Sequence, residues 1–200
     1  MNIKRHAPAA ERNKDPILEV LREFMGEPKF VVTIAEGSGQ HVVHFAEHLP
    51  HVTFQPTDVD PNALASISAY VDEARYSNIR PPVYLDALAE PWPVEHADVA
   101  LCINMIHISP WIATEGLFRG AARILPRGGH LITYGPYRFS GAFTAPSNEE
   151  FDASLRSRNP EWGVRDVDDL KTIGVANGLK LERTVAMPAN NHCLVFTKHS

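Results

Sequence analysis

Cysteine is scarce in this chain: 200 residues carry only Cys102 and Cys193. Each sits inside an apolar run, so a disulfide framework is excluded and both read as reduced core residues. Long hydrophobic runs are missing too. No stretch approaches the ~18 apolar residues of a membrane span, and Met1–His6 lacks the apolar centre of a secretory signal. A cytoplasmic protein with no membrane partner is expected. No sign of charge dominates: the net charge is −5 with no polybasic face, which argues against a nucleic-acid partner. Internal repeats and linkers are absent as well. What remains is one domain over residues 1–200, long enough to bury a core without staples. The oligomeric state is left open.

Local patterns give the order of elements. Residues 1–15 are polar and read as an N-terminal arm. Asp15 can cap a helix with Pro16 at its first position, and Ile17, Leu18 and Leu21 then recur at helical spacing. Strands are expected over 30–35, 52–57, 83–85, 97–103 and 130–134, separated by helical segments. Asp60 and Asp166 stand as caps. The end, 179–187 and 192–197 around Pro188-Ala189-Asn190, reads as an antiparallel hairpin. Residues 136–165 form a long insert with a short helix. Strands alternating with helices predict an α/β fold: a Rossmann-like three-layer sandwich, its mostly parallel seven-stranded sheet closing with that hairpin.

The most informative segment is Val31 to His41. A β-branched run stops at Gly37-Ser38-Gly39, and an amphipathic helix begins at once, so backbone N–H groups can approach a nucleotide-like ligand. About twenty residues on, a second strand ends at Asp58-Val59, where a carboxylate can accept hydrogen bonds from ribose hydroxyls. Asp86 and Asn104 also follow strand ends, so these positions converge on one rim of a parallel sheet. A nicotinamide or flavin site needs a third glycine, but Val42 occupies that place, which disfavours an NAD-dependent oxidoreductase.

These residues resemble the class I S-adenosylmethionine-dependent methyltransferases. Gly37-Ser38-Gly39 is similar to their first motif, Asp58 to the acid on the ribose, and Asp86-Ala87 to the acidic contact near adenine. Leu125-Pro126-Arg127-Gly128-Gly129 resembles the turn before their fifth strand. Over its whole length the chain resembles a small methyltransferase-like family, on Pro8-Ala9-Ala10-Glu11-Arg12-Asn13, Ala35 to His41, Asn104 to Trp111, Tyr134-Gly135-Pro136-Tyr137 and Ala186 to Asn191. The resemblance implies S-adenosylmethionine as cofactor, held by Arg12, Asn13, Glu36, Gly37, Ser38, Gly39, Asp58, Val59, Asp86, Ala87 and Asn104. Arg5, His6, Arg12 and Asn13 would fold over the rim onto the methionine carboxylate. The chain departs from the usual first motif at Thr33, where an acid is expected, and at Ala35, where a glycine is; Glu36 follows.

Methyl transfer mainly requires acceptor and methyl to be held in line, with a base only where the acceptor keeps its proton. His107 is the candidate base, set against an ordinary packing histidine, and Asn104 can orient either partner. Tyr137, Arg138 and Trp162 of the insert are candidates for receiving a planar or anionic small-molecule acceptor. An Asn-Pro-Pro-Tyr sequence, typical of amino-group methylation on nucleobases or glutamine, is missing. His41, His44, His48 and His51 have no acidic or cysteine partner at ligand spacing, so no metal is expected. The competing reading is a methyltransferase-like protein that binds cofactor or a protein partner without catalysis.

Overall fold

The computed structural model describes residues 3–27 and 29–199. The elements run α1 (Pro8–Arg22), β1 (Phe30–Ile34), α2 (Gln40–His48), β2 (Thr53–Asp58), α3 (Pro61–Ala74), β3 (Val83–Tyr84) and β4 (Val99–Ile103). There follow α4 (Trp111–Ile124), β5 (His130–Phe139), β6 (Ala142–Phe143), α5 (Pro146–Arg158), β7 (Arg165–Asp166), α6 (Val167–Ala176), β8 (Leu179–Met187) and β9 (Asn191–Lys198). The sheet order is β3-β2-β1-β4-β5-β9-β8, with the two-residue β6 and β7 paired to β5. Strands β1 to β5 pair in parallel along this path, and β9 runs antiparallel between β5 and β8. The expected seven strands and closing hairpin are all present.

Side-chain alternation in the strands builds the three layers. Val31, Val99 and Leu101 join Ile17, Phe45 and Ile67 in one core, on the side of α1, α2 and α3. Val32, Ala100 and Cys102 face the other way, into a core with Phe118, Leu170 and Phe196 from α4, α6 and β9. A strand buried on both faces needs apolar residues at both parities, which is why these runs read as continuous. Both cysteines are buried and unpaired. Asp60 and Asp166 cap α3 and α6 as expected, accepting from the N–H groups of Asn62 and Asp168 at 2.9 Å each. Among the described residues no helix is long and apolar enough to cross a membrane.

Two boundaries differ from the sequence reading. Helix α1 starts at Pro8, so Pro16 lies inside it and the arm shrinks to the residues before Pro8, of which Met1 and Asn2 lie outside the described residues. Pro16 cannot donate to the Arg12 carbonyl, but Arg12 is exposed, so the unpaired carbonyl does not have to be buried. The insert also begins later than residue 136. Strand β5 continues through Gly135 and Pro136 to Phe139 because β9 supplies partners, His192 and Asn191, opposite those two residues.

Candidate functional site

Strand β1 delivers the chain into a turn held by backbone bonds. The Glu36 N–H donates to the Thr57 carbonyl at 3.0 Å. The Gly37 N–H donates to Asp58 Oδ2 at 2.9 Å, and the Asp60 N–H to Asp58 Oδ1 at 2.9 Å. One carboxylate at the end of β2 therefore fixes the glycine turn and the start of α3 together. Gly39 adopts φ +100°, and a Cβ there would stand 2.9 Å from the Ile67 Cα, so only glycine lets α2 pack this closely on α3. The Ser38 carbonyl accepts from Ser66 Oγ at 2.7 Å.

Glu36 is buried, and its Oε1 accepts the Val42 N–H at 2.9 Å. It thus supplies the side-chain cap that Gly39 cannot give to α2. Burial pushes its carboxyl up to about 7 from 4.5. A raised carboxyl favours the folded state at low pH, and that stability falls as pH rises from about 4.5 to about 7. Glu36→Gln keeps the acceptor and removes the charge. It is expected to raise stability above pH 7, by up to about 3 kcal/mol, and to leave it unchanged below pH 4. Thermal melts at the two pH values measure this; equal shifts at both would refute it.

The remaining strand ends meet the same rim. Val59, Leu88 and Ile108, following β2, β3 and β4, are large apolar side chains left 48%, 42% and 46% exposed. Asp86 Oδ1 accepts the Leu88 N–H at 2.9 Å, and the Ala87 carbonyl accepts from Trp92 Nε1 at 3.3 Å. Asn104 has a left-handed backbone, φ 63°, a conformation that asparagine adopts more readily than other residues with a side chain. Its N–H donates to the Tyr134 carbonyl at 2.8 Å.

Two cavities open along this edge. The smaller, about 170 Å³, is walled by Thr33 to Ser38, His41 and Asn104, and by Ala7, Ala9 and Ala10. The larger, about 750 Å³, is lined by Arg12, Asn13, Tyr134, Phe151 and Asn190 among others. Ala9 and Asn104 belong to both, so the two spaces meet there.

The N-terminal segment crosses the smaller cavity and is tied down at several points. Arg5 pairs with Asp60 at 2.7 Å, and its N–H donates to Ser66 Oγ at 2.8 Å. The Ala7 N–H donates to Gln40 Oε1 at 2.7 Å, and Gln40 Nε2 donates to Glu11 Oε1 at 2.6 Å. Asn13 Oδ1 accepts from His41 Nε2 at 2.7 Å. Burial pulls the His41 imidazole down to about 4, so it is neutral and can donate only through this nitrogen. The arm does cover the rim, but its parts divide differently from the expectation. Arg5 and His6 engage Asp60 and Gln40, while Arg12 and Asn13 line the larger cavity.

Four sequence candidates fall elsewhere. His107 is buried and lines neither cavity. Its Nδ1 accepts the Arg165 N–H at 3.4 Å, and burial, with the Arg165 cation, pulls it down to about 3. The ring lies directly behind Gly135, where a Cβ would come 2.3 Å from Nε2. Its Nε2 is buried without a hydrogen-bond partner among the described residues. Tyr137 is fully buried because the extended β5 alternates it into the core, and its hydroxyl donates to Thr133 Oγ1 at 2.9 Å. Arg138 lies over Phe143 and Trp162 under Arg158, each at 5.6 Å, and neither lines either of these two cavities. What the insert contributes is Ser147, Asn148 and Phe151 on α5, beside the Pro188 to Asn191 turn. Asn148 Nδ2 ties the two by donating to the Asn190 carbonyl at 2.9 Å. The sequence signal for this was the Ala186 to Asn191 stretch, with no hint of its partner.

Glu47 was also missed. Its carboxylate and the His44 and His48 imidazoles place ligand atoms within 4.8 Å of one another on α2. His44 Nε2 already stands 2.9 Å from Asp15 Oδ1, and none of the three lines either cavity.

A family model described as "Protein of unknown function (DUF938)" matches residues 4–198. Among solved structures, the fold is similar to an O-methyltransferase family protein from Burkholderia thailandensis, with TM-score 0.80 and 15% identity over 96% of this chain and 58% of that one. It is similar to human N-acetylserotonin methyltransferase in complex with SAM, with TM-score 0.79 and 12% identity over 96% and 53%. It also matches an O-methyltransferase family 2 protein from Planctomyces limnophilus in complex with apigenin, with TM-score 0.75 and 18% identity over 94% and 61%. The chain thus spans little more than half the length of these proteins. The shared architecture is the Rossmann-like methyltransferase fold.

Proposed function

We propose, from the premise that this chain belongs to the DUF938 family, that it binds S-adenosylmethionine and transfers a methyl group to a small-molecule acceptor. One observation carries the reading: the glycine turn, Asp58, Asp86 and Asn104 lie at the carboxyl ends of β1 to β4, and of these Gly37, Ser38 and Asn104 line the smaller cavity while Asp58 and Asp86 line neither. That is the position where open α/β sheets bind ligands. The residues suit the cofactor. Asp58 keeps lone pairs free for ribose hydroxyls after its two backbone bonds. Val59, Leu88 and Ile108 offer apolar surface to a purine. Bound S-adenosylmethionine supplies an electrophilic sulfonium methyl. The chain's own residues would hold the two reactants on either side of Asn104. The expected compartment is the cytoplasm, in keeping with two unpaired thiols.

Labelled S-adenosylmethionine turned over with a metabolite extract tests this, with calorimetry of its demethylated product alongside. Label transfer that Asp58→Ala abolishes supports the enzyme. Absence of any cofactor heat refutes the reading. One feature favours a second reading, a non-catalytic cofactor-binding protein: Glu36 turns inward to cap α2. Binding without transfer would select it.

A further inference from the structure

The larger cavity has a chemistry of its own. Its lining holds Arg12, the carboxamides of Asn13, Asn104, Asn148, Asn190 and Asn191, Ser147 and Tyr134; the rest is apolar. No carboxylate, imidazole, amine or thiol lines it. Tyr134 is no substitute base, since burial raises its phenol above the ordinary value and keeps it protonated. His41 is turned onto Asn13, and His107 is screened by Gly135. An acceptor that must lose a proton would find nothing there to take it.

Most of the polar groups are already engaged. Asn13 accepts from His41, Asn148 donates to Thr144 and Asn190, Asn190 to Ser147, and Asn191 to the carbonyls of Pro188 and Ala189. Two groups stand apart. Among the described residues Arg12 makes no ion pair or hydrogen bond, and neither does the Asn104 carboxamide. An unpaired guanidinium beside an apolar cavity is matched by an oxyanion, which it can grip through two N–H groups.

We infer that the acceptor is a small organic acid, whose carboxylate is drawn to Arg12 and whose apolar body fills the cavity between Phe151 and Pro188. The inference rests on the methyl-transfer reading and names its acceptor. The step needs no base. A carboxylate oxygen lone pair forms the new C–O bond as the C–S bond breaks, and the released pair stays on sulfur. An anion and a sulfonium become a neutral ester and a neutral thioether, and no proton moves. Asn104, where the cavities meet, is the group placed to orient that oxygen.

The test uses 2-naphthoate and its uncharged isostere 2-naphthamide, each titrated into the full chain by calorimetry. Naphthoate is expected to bind at least tenfold more tightly than the amide. Arg12→Met should reduce that preference to within about twofold while the amide still binds, and Arg12→Lys should restore part of it. Equal affinities, a preference that survives Arg12→Met, or no naphthoate binding would each overturn the inference. S-adenosylhomocysteine is titrated separately. If it fails to bind while the naphthoate preference holds, the methyltransferase reading falls and the anion site stands.

Discussion

Asp58→Ala is expected to weaken binding of S-adenosylhomocysteine by two to three orders of magnitude. The carboxylate does two jobs, and the substitution removes both. On the proposed reading it offers charged acceptors to ribose hydroxyls; each such bond would contribute about 1.5–3 kcal/mol, so two would account for roughly 100-fold or more. Toward the protein it holds the N–H groups of Gly37 and Asp60. Leaving these unpaired costs about 1–3 kcal/mol, and the melting temperature should fall by about 2–12 °C. Asp58→Asn separates the two effects. Its side-chain oxygen can keep one of the backbone bonds, so stability should recover more than affinity. Calorimetry and thermal melts of both variants check this; a tenfold loss or less for Asp58→Ala would remove the residue from the site.

The second large effect concerns a position with no polar group. Gly135→Ala is expected to destabilise the fold by about 3 kcal/mol, toward the upper range of overpacking. The added methyl would lie 2.3 Å from His107 Nε2, on a ring that is buried against Tyr137 at 5.0 Å and cannot swing away. His107→Ala opens the space the methyl needs. The double variant should therefore be more stable than the sum of the single losses, by 1 kcal/mol or more. Denaturant unfolding of the four proteins supplies the cycle. The same variants test the role of His107: its alanine form should retain label transfer from S-adenosylmethionine as well as affinity for S-adenosylhomocysteine. Additive losses, or a His107→Ala protein that folds but does not bind, would contradict its place as a packing residue.

What could be read in the sequence was local. Asp60 and Asp166 are caps followed within two residues by the amide they accept, and Gly37-Ser38-Gly39 is a turn whose glycines mark it locally, although Asp58 and Ile67 are what require it. The buried strands were legible because apolar residues on both parities leave no other choice. Errors arose where distant chain overrode a nearby signal. Gly135-Pro136 looks like a strand end until β9 lies alongside it, and the two residues gained there carry Tyr137 from the surface into the core. Pro16 looks like a helix start, but Pro8 also fits that place and begins the helix. The walls of the larger cavity come from α1, Asn104 after β4, β5, α5, the closing turn and the start of β9. No spacing within one segment encodes that meeting, so Phe151 and Asn190 were invisible as neighbours.

The segment leading into α1 sets a condition on kinetics. The space beneath Ala7 and Ala9 is about 170 Å³, against the roughly 300–1,000 Å³ of ordinary ligand sites. On the proposed reading, a nucleoside entering this space would have to wait for the Arg5–Asp60 pair and the Ala7–Gln40 bond to part. Arrival and departure then share one bottleneck, set by how often that stretch lifts rather than by collision frequency. Because one of the two ties is ionic and solvent-facing, added salt should quicken both.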